Sequence, residues 1–256
     1  MPATAPPRRF VPAALDVARW EELEPFYQAL LDRPIGGIAE LQRWLEDLSE
    51  LSAVVDEYGA RRYIDKSCHT DDPAIERAFL HFVENIEPQI KPLFFRLQKR
   101  LIESPFRTQL DGSYATFLRR WQADVEIFRE DNVPLETQAT KLTNDYDKIC
   151  GAMTVTFDGR ERTLQQMARY MEKPDRPVRQ QAWELVAQRR LTDREPIESI
   201  FDQLLDLRRR IAANAGMSDY RAYMWKSLKR FDYTPDDCLR FADAIERVCM
   251  PLVREP

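Results

Sequence analysis

The stretch IAELQRWLEDLSELSAVVDEY, residues 38–58, decides the fold class. Its apolar residues Ile38, Leu41, Trp44, Leu45, Leu48, Leu51, Val55 and Tyr58 recur every three or four positions, as one buried face of an α-helix requires. The same period continues on both sides. Ala78, Phe79, Phe82, Val83, Ile86 and Ile90 form a second stripe, opened by Thr70-Asp71-Asp72-Pro73, where Thr70 is the expected cap. Pro88 and Pro92 must kink or divide that stripe, because each removes a helical hydrogen bond. Tyr114, Phe117, Leu118, Trp121, Val125 and Phe128 form a third stripe, and a weaker fourth runs from Leu135 to Ile149.

The pattern changes once. Met153-Thr154-Val155-Thr156-Phe157 alternates with period two, Asp158-Gly159 follows, and Arg160-Glu161-Arg162-Thr163-Leu164 completes a β-hairpin near 153–164. Its expected pairs are Val155 with Arg162 and Met153 with Leu164. Helices then resume. Thr163–Gln166 has the form of a capping box. Further helices are expected from Asp175-Arg176-Pro177, from Asp193 to a stop at Gly216, from Ser218, and from Thr234-Pro235. The last carries Phe241, Ala242, Ile245, Val248 and Cys249, and Pro251 disturbs it. The fold class is therefore all-α, a multi-helix lobe followed by a further helical region, with one hairpin between them.

Composition narrows the function. The chain has 256 residues, 7 Gly, 17 Pro, 4 Cys, 2 His and a net charge of −5. So little Gly, against a usual value of about 7%, argues against turn-rich all-β folds. No G-x-G-x-x-G or G-x-x-x-x-G-K-[ST] phosphate loop is present. The acidic balance argues against a nucleic-acid partner. No apolar run reaches the roughly 18 residues of a membrane span or reads as a signal peptide, so a cytoplasmic protein without a membrane partner is expected. Cys68, Cys150, Cys238 and Cys249 are scattered and read as reduced, buried thiols.

Candidate chemistry is sparse. H-E-x-x-H, which sets two imidazoles on one helix turn with a Glu as base, is absent. His69 and His81 are twelve residues apart, roughly 120° around a helix, so they do not share a face. Both read as surface or hydrogen-bonded histidines. Ala78 stands where a Glu-x-x-His motif would need its Glu. Cys68-His69 makes a poor nucleophile and base pair, because adjacent residues seldom aim their side chains at one another. No G-x-S-x-G elbow exists. Arg189-Arg190 and Arg208-Arg209-Arg210 read as a solvated face paired with Glu198, Asp202 and Asp206. Trp44, Trp121, Trp183 and Trp225 read as core packing.

From residue 157 onward the order of segments resembles a known family. Phe157-Asp158-Gly159, Thr163-Leu164, Asp175-Arg176 with Val178-Arg179, Ala182-Trp183, Arg190-Leu191-Thr192-Asp193-Arg194, Ile211–Gly216 and Arg230-Phe231-Asp232-Tyr233-Thr234-Pro235 are similar to the oligoendopeptidase F branch of the thimet-oligopeptidase-like zinc metallopeptidases. Glu40-Leu41 with Trp44-Leu45, and Cys68–Asp72, extend the resemblance more loosely to the N-terminal side. It implies cytoplasmic proteases with a helical lobe over a deep groove that admits short peptides, and zinc held by an H-E-x-x-H helix and a later Glu. In that family the zinc-binding part follows the region covered here. No position of this chain matches a zinc ligand or the catalytic Glu, so no catalytic, cofactor-binding or metal residue is assigned, and zinc is expected only in the complete family enzyme.

The Pro/Ala-rich start reads as a mobile tail over 1–14; the resemblance implies the N-terminal helical lobe over 15–148, and over 149–256 the start of a catalytic domain without its zinc-binding part. The chain is expected to be an N-terminal portion of such an enzyme (a fragment, split gene or truncated gene), inactive alone. Short peptides would be the complete enzyme's partners, and a complementary C-terminal polypeptide is a candidate partner of this chain. Apolar residues Phe241, Ile245 and Val248 should then lie bare. The alternative, a non-catalytic helical binding or scaffold protein, expects them buried.

Overall fold

In the computed structural model residues 8–255 are described. They form α1 (Trp20–Asp32), α2 (Ile38–Cys68), α3 (Pro73–His81), α4 (Glu87–Glu103), α5 (Ala115–Ile127), α6 (Asn132–Gly151), β1 (Thr154–Phe157), β2 (Arg160–Thr163), α7 (Leu164–Met171), α8 (Arg176–Thr192), α9 (Arg194–Asn214), α10 (Tyr220–Ser227) and α11 (Pro235–Arg254). The described fold is helical with one antiparallel hairpin.

The stripe of residues 38–58 faces inward as its spacing requires: Leu41, Trp44 and Leu51 are fully buried and Leu48 is nearly so. The Trp44 indole donates to the Leu30 carbonyl at 2.8 Å, tying α2 to α1. α2 runs on to Cys68, ten residues past the stripe. Asp72, not Thr70, caps α3, accepting from the Ala74 and Ile75 amides. Thr70 instead lies against Gly151 at the end of α6, so closely that a Cβ there would meet its hydroxyl at 2.6 Å.

Prolines divide the second stripe as expected, by an identifiable device. Residues Phe82–Ile86 form a π-turn between α3 and α4, and the Glu87 amide reaches back to the Phe82 carbonyl. The wider turn precedes Pro88, which then sits in the first turn of α4 where no amide is needed. Pro92 is carried inside α4. Gly59 of α2 makes room for the turn, since a Cβ there would meet the Phe82 ring at 2.9 Å.

β1 and β2 pair Val155 with Arg162, the expected register, and Met153 and Leu164 flank the ladder. Asp158 and Gly159 both have positive φ, 52° and 68°, as a two-residue hairpin turn requires. The Thr163–Gln166 and Thr234–Asp237 capping boxes form. At α10 Asp219 takes the cap expected of Ser218. Asp193 makes no side-chain cap on α9; its carboxylate pairs with Arg189 instead.

Three clusters of buried side chains result. Val11, Val17, α1, α2 and α4 build the first. Ile127 and α6 with α9 and α10 build the second. The hairpin with α7 and α8 builds the third, around Met167 and Ala182. The exposure of Trp183 and of three of the thiols departs from expectation. Residues 1–7 of the expected tail lie outside the described residues, but from Arg9 the chain is held: the amides of Arg9, Phe10 and Val11 donate to the Glu50 carboxylate at 2.7–3.1 Å, and Val11 is buried. Leu135 and Leu142 of α6 pack with Leu207 and Ile211 of α9 in the second cluster. Trp183 is 62% exposed, although it flanks the buried Ala182 and Val186 on α8. The thiols are free, but Cys68, Cys238 and Cys249 are exposed, because each lies on a helix turn that no neighbouring element covers.

Candidate functional site

The two larger clusters meet along a cleft of about 630 Å³. α1 and α2 form one wall, α4 the floor, and α5, α6 and α10 the other wall. Its central feature is a charged network. Lys91 of α4 is 2.9 Å from the Glu136 carboxylate of α6 and 3.4 Å from Glu87 one turn back. The Tyr223 hydroxyl of α10 donates to the other Glu136 oxygen at 3.3 Å. Burial pulls the Lys91 pKa down, but the two glutamates outweigh it and hold the amine above its ordinary value. Burial pushes the Tyr223 phenol up, and Glu136 adds to the shift. Through neutral pH the network is therefore a charged lysine and a neutral phenol, suited to holding elements together. Lower in the cleft Asp124 accepts from Gln98 and pairs with Lys229, which joins α5 to the end of α10.

No short-range pattern announces these residues. Lys91 and Glu136 are 45 positions apart, and Tyr223 lies another 87 on. The only sequence signal is polar residues standing beside apolar ones on helices that otherwise read as core.

Neither histidine joins this cleft. His81 on α3 is 2.8 Å from the Ala18 carbonyl through Nε2, and Asn85 approaches its Nδ1 at 3.3 Å, so it fastens the chain before α1 to α3. His69 sits at the end of α2. Among the described residues no three His, Cys, Asp or Glu side chains converge as a metal ion would require. The residues present do not fit a catalytic zinc. No described helix is long and apolar enough to cross a membrane.

The second distinctive surface is α11. None of its residues is buried. Phe241, Ile245, Val248 and Leu252 follow at intervals of four, three and four, so they share one face. They are 68%, 39%, 66% and 67% exposed. An amphipathic helix whose apolar face meets solvent over about three turns is unusual in a closed core, and such a patch marks an interaction surface.

Residues 10–128 match the model of the Peptidase M3 N-terminal domain. No curated protein matches the chain. Three solved structures share its fold. A crystal structure assigned as an oligoendopeptidase F from Bacillus anthracis str. Ames superimposes with a TM-score of 0.89 at 22% identity, over 95% of this chain and 45% of that one. A 3.1 Å structure, also assigned as an oligoendopeptidase F, gives 0.87 at 23% identity, over 94% and 43%. A PZ peptidase A solved with an inhibitor gives 0.84 at 26% identity, over 93% and 43%. The chain thus spans less than half the length of each of these structures. Residues 10–128 are thus similar to the Peptidase M3 N-terminal domain, and the whole chain has the helical fold of the N-terminal portion of an oligoendopeptidase F.

Proposed function

We propose that this chain is the N-terminal helical part of a zinc metallopeptidase that hydrolyses bonds in short peptides in the cytoplasm. Its own share is structural. Residues from Phe10 through α5 form the lobe that walls a peptide groove, and α6 onward begins the scaffold on which a metal-bearing polypeptide packs. The chain alone carries no zinc site and cleaves no peptide. The bare apolar face of α11 is the observation that carries the reading, because the shared fold makes up 43–45% of the longer peptidase structures. Covering a Phe, Ile, Val or Leu side chain is worth about 1.5–3 kcal/mol each, so four side chains of this exposure supply several kcal/mol toward docking.

Cys238 and Cys249 are exposed on the same helix and make the reading testable. In the purified chain both thiols should react rapidly with Ellman's reagent, and a hydrophobic dye should bind. Replacing Phe241, Val248 and Leu252 with Ser should abolish dye binding while leaving the melting temperature within about 2 °C, since these side chains bury nothing in the fold. Protected thiols, or a large loss of stability in the triple variant, would show that α11 is already packed within the chain and would contradict the proposal.

A further inference from the structure

A second cavity, of about 370 Å³, adjoins the Lys91 cleft, and Gly59, Phe82 and Glu87 border both. Its volume lies in the range of small-molecule sites, about 300–1,000 Å³. α6 supplies one wall through Thr140, Thr143 and Asn144, and α9 contributes Leu204 and Arg208. Asn144 is 2% exposed, and its Oδ1 has no hydrogen-bond partner among the described residues. Its Nδ2 donates to the Glu76 carboxylate at 2.8 Å, which fixes the orientation of the amide, because a carboxylate only accepts. Oδ1 is left as a buried acceptor without a donor. Such a group carries a penalty that an arriving donor relieves.

The neighbours sharpen that demand. The Thr140 and Thr143 hydroxyls donate to the carbonyls of Glu136 and Ala139 one turn back, at 3.1 and 3.0 Å, so toward a ligand they too can only accept. The α6 wall therefore asks for N–H or O–H donors. α9 presents the complementary group. Arg208 is half-buried, its guanidinium lies 5.6 Å from the centroid of the Tyr220 ring, and it makes no ion pair or hydrogen bond among the described residues. The other charges that line the cavity are already engaged: Lys66 pairs with Asp147 at 2.7 Å, and Glu87 with Lys91 at 3.4 Å. Among the described lining residues Arg208 is the one cation left to take an anion, and a guanidinium fits the two oxygens of a carboxylate. Phe79, Phe82, Val83 and Tyr220 add apolar surface around it.

We infer that this cavity binds a carboxylate bearing an N–H donor and an apolar side group on the same carbon, the chemistry of an N-acylated amino acid. Its carboxylate meets Arg208, its N–H meets the Asn144 Oδ1, and its side group lies among Phe79, Phe82 and Tyr220. That unit occurs free or as the last residue of a peptide. All of these residues belong to this chain, so the inference stands or falls separately from the function proposed above.

The test titrates the full chain with N-acetylphenylalanine at pH 7 by calorimetry and by amide chemical shifts. Saturable binding is expected, with shifts centred on α6 and α9. N-acetylphenylalaninamide, which lacks the charge, should bind at least about tenfold more weakly, the scale of a hydrogen bond to a charged group. O-acetyl-3-phenyllactate keeps the charge but sets an oxygen where the N–H was, and should bind about fivefold more weakly, the scale of a neutral hydrogen bond. Arg208→Gln should weaken the acid about tenfold and leave the neutral amide unchanged. Arg208 pairs with no carboxylate in the fold, so the variant should fold, as a melting curve will verify, and the comparison of the three ligands on the unaltered chain needs no variant. The peptide acetyl-alanyl-alanyl-phenylalanine separates the sources: binding as tight as the acetylated amino acid or tighter supports the site with a peptide C-terminus as its ligand, and weaker binding supports it with a free acylamino acid. Absence of saturable binding by the acid, equal binding of the neutral amide or of the ester, or indifference to Arg208→Gln would overturn the inference.

Discussion

Lys66 gives the sharpest test of how the two large clusters are joined. It is 3% exposed, near the end of α2, and its amine lies 2.7 Å from the Asp147 carboxylate of α6. The amine also sits over the Tyr63 and Phe79 rings, at 5.4 and 5.2 Å from their centroids. Among the described residues one carboxylate pairs directly with this buried charge, with Glu76 acting on it from farther off, and the direct partner is itself 35% exposed. Deleting the two ends should therefore have unequal effects. Asp147→Ala strands a buried ammonium, a change that costs about 3–5 kcal/mol in a closed interior; the partial exposure of Asp147 places the expected loss just below that range, about 2–3 kcal/mol. Lys66→Met removes the charge, keeps most of the volume, and leaves Asp147 able to turn to water. Its expected cost is about 1 kcal/mol, mostly the lost contact with the two rings. Urea unfolding at pH 7, followed by tryptophan fluorescence, gives both values, and the midpoints can be compared directly if the slopes agree. A Lys66→Met loss equal to or greater than the Asp147→Ala loss would refute the reasoning, since it would mean that the pair stabilises by attraction rather than by sparing a buried charge.

Other consequences are as direct. Trp44→Phe should cost about 1–2 kcal/mol in the same assay, chiefly through the cavity left in α1–α2 packing. The Leu30 carbonyl would still accept from Arg100, now at 2.6 Å, so a loss above about 4 kcal/mol would contradict this division of effects. Acid should loosen the fold through Glu50 and Glu76. The Glu50 carboxyl is raised by burial but held below 4.5 on balance by the three amides of residues 9–11. Lys148 first, and Asn144 with it, hold Glu76 below the same value. A depressed folded-state pKa means stability that is full above the unfolded value and lost as pH falls through the folded one, so stability should drop below about pH 4.5. Glu50→Gln with Glu76→Gln should flatten that acid limb, and an unchanged pH profile would count against these contacts.

What could be read from the chain without its structure follows from the range of the interactions. Periods of three to four in residues 38–58 and of two in residues 153–157 are local, and they placed the helices and the hairpin with its register. Capping was legible in kind but not in residue. At Thr70–Asp72 and Ser218–Asp219 two adjacent candidates compete, and the approach of Gly151 to Thr70 is a tertiary fact. Trp183 misled because a large aromatic at helical spacing signals core only when a neighbouring element arrives to cover it, and none covers that side of α8. The cleft was hidden for a different reason. Tyr27, Asp56, Lys91, Glu136 and Tyr223 come from five helices, and only packing of α4 between α1 and α6 brings them together. The bare face of α11 stood between the two cases: its stripe was plain in the sequence, and its exposure depended on what lies opposite.

The central claim is that this chain builds and seats, while metal and cleavage belong to further polypeptide. Zinc content by mass spectrometry, measured on the purified 256-residue chain together with its turnover of an internally quenched peptide, tests that most directly. Far less than one zinc per chain and no chelator-sensitive cleavage are predicted. One zinc per chain with cleavage abolished by a chelator and restored by zinc would contradict the account.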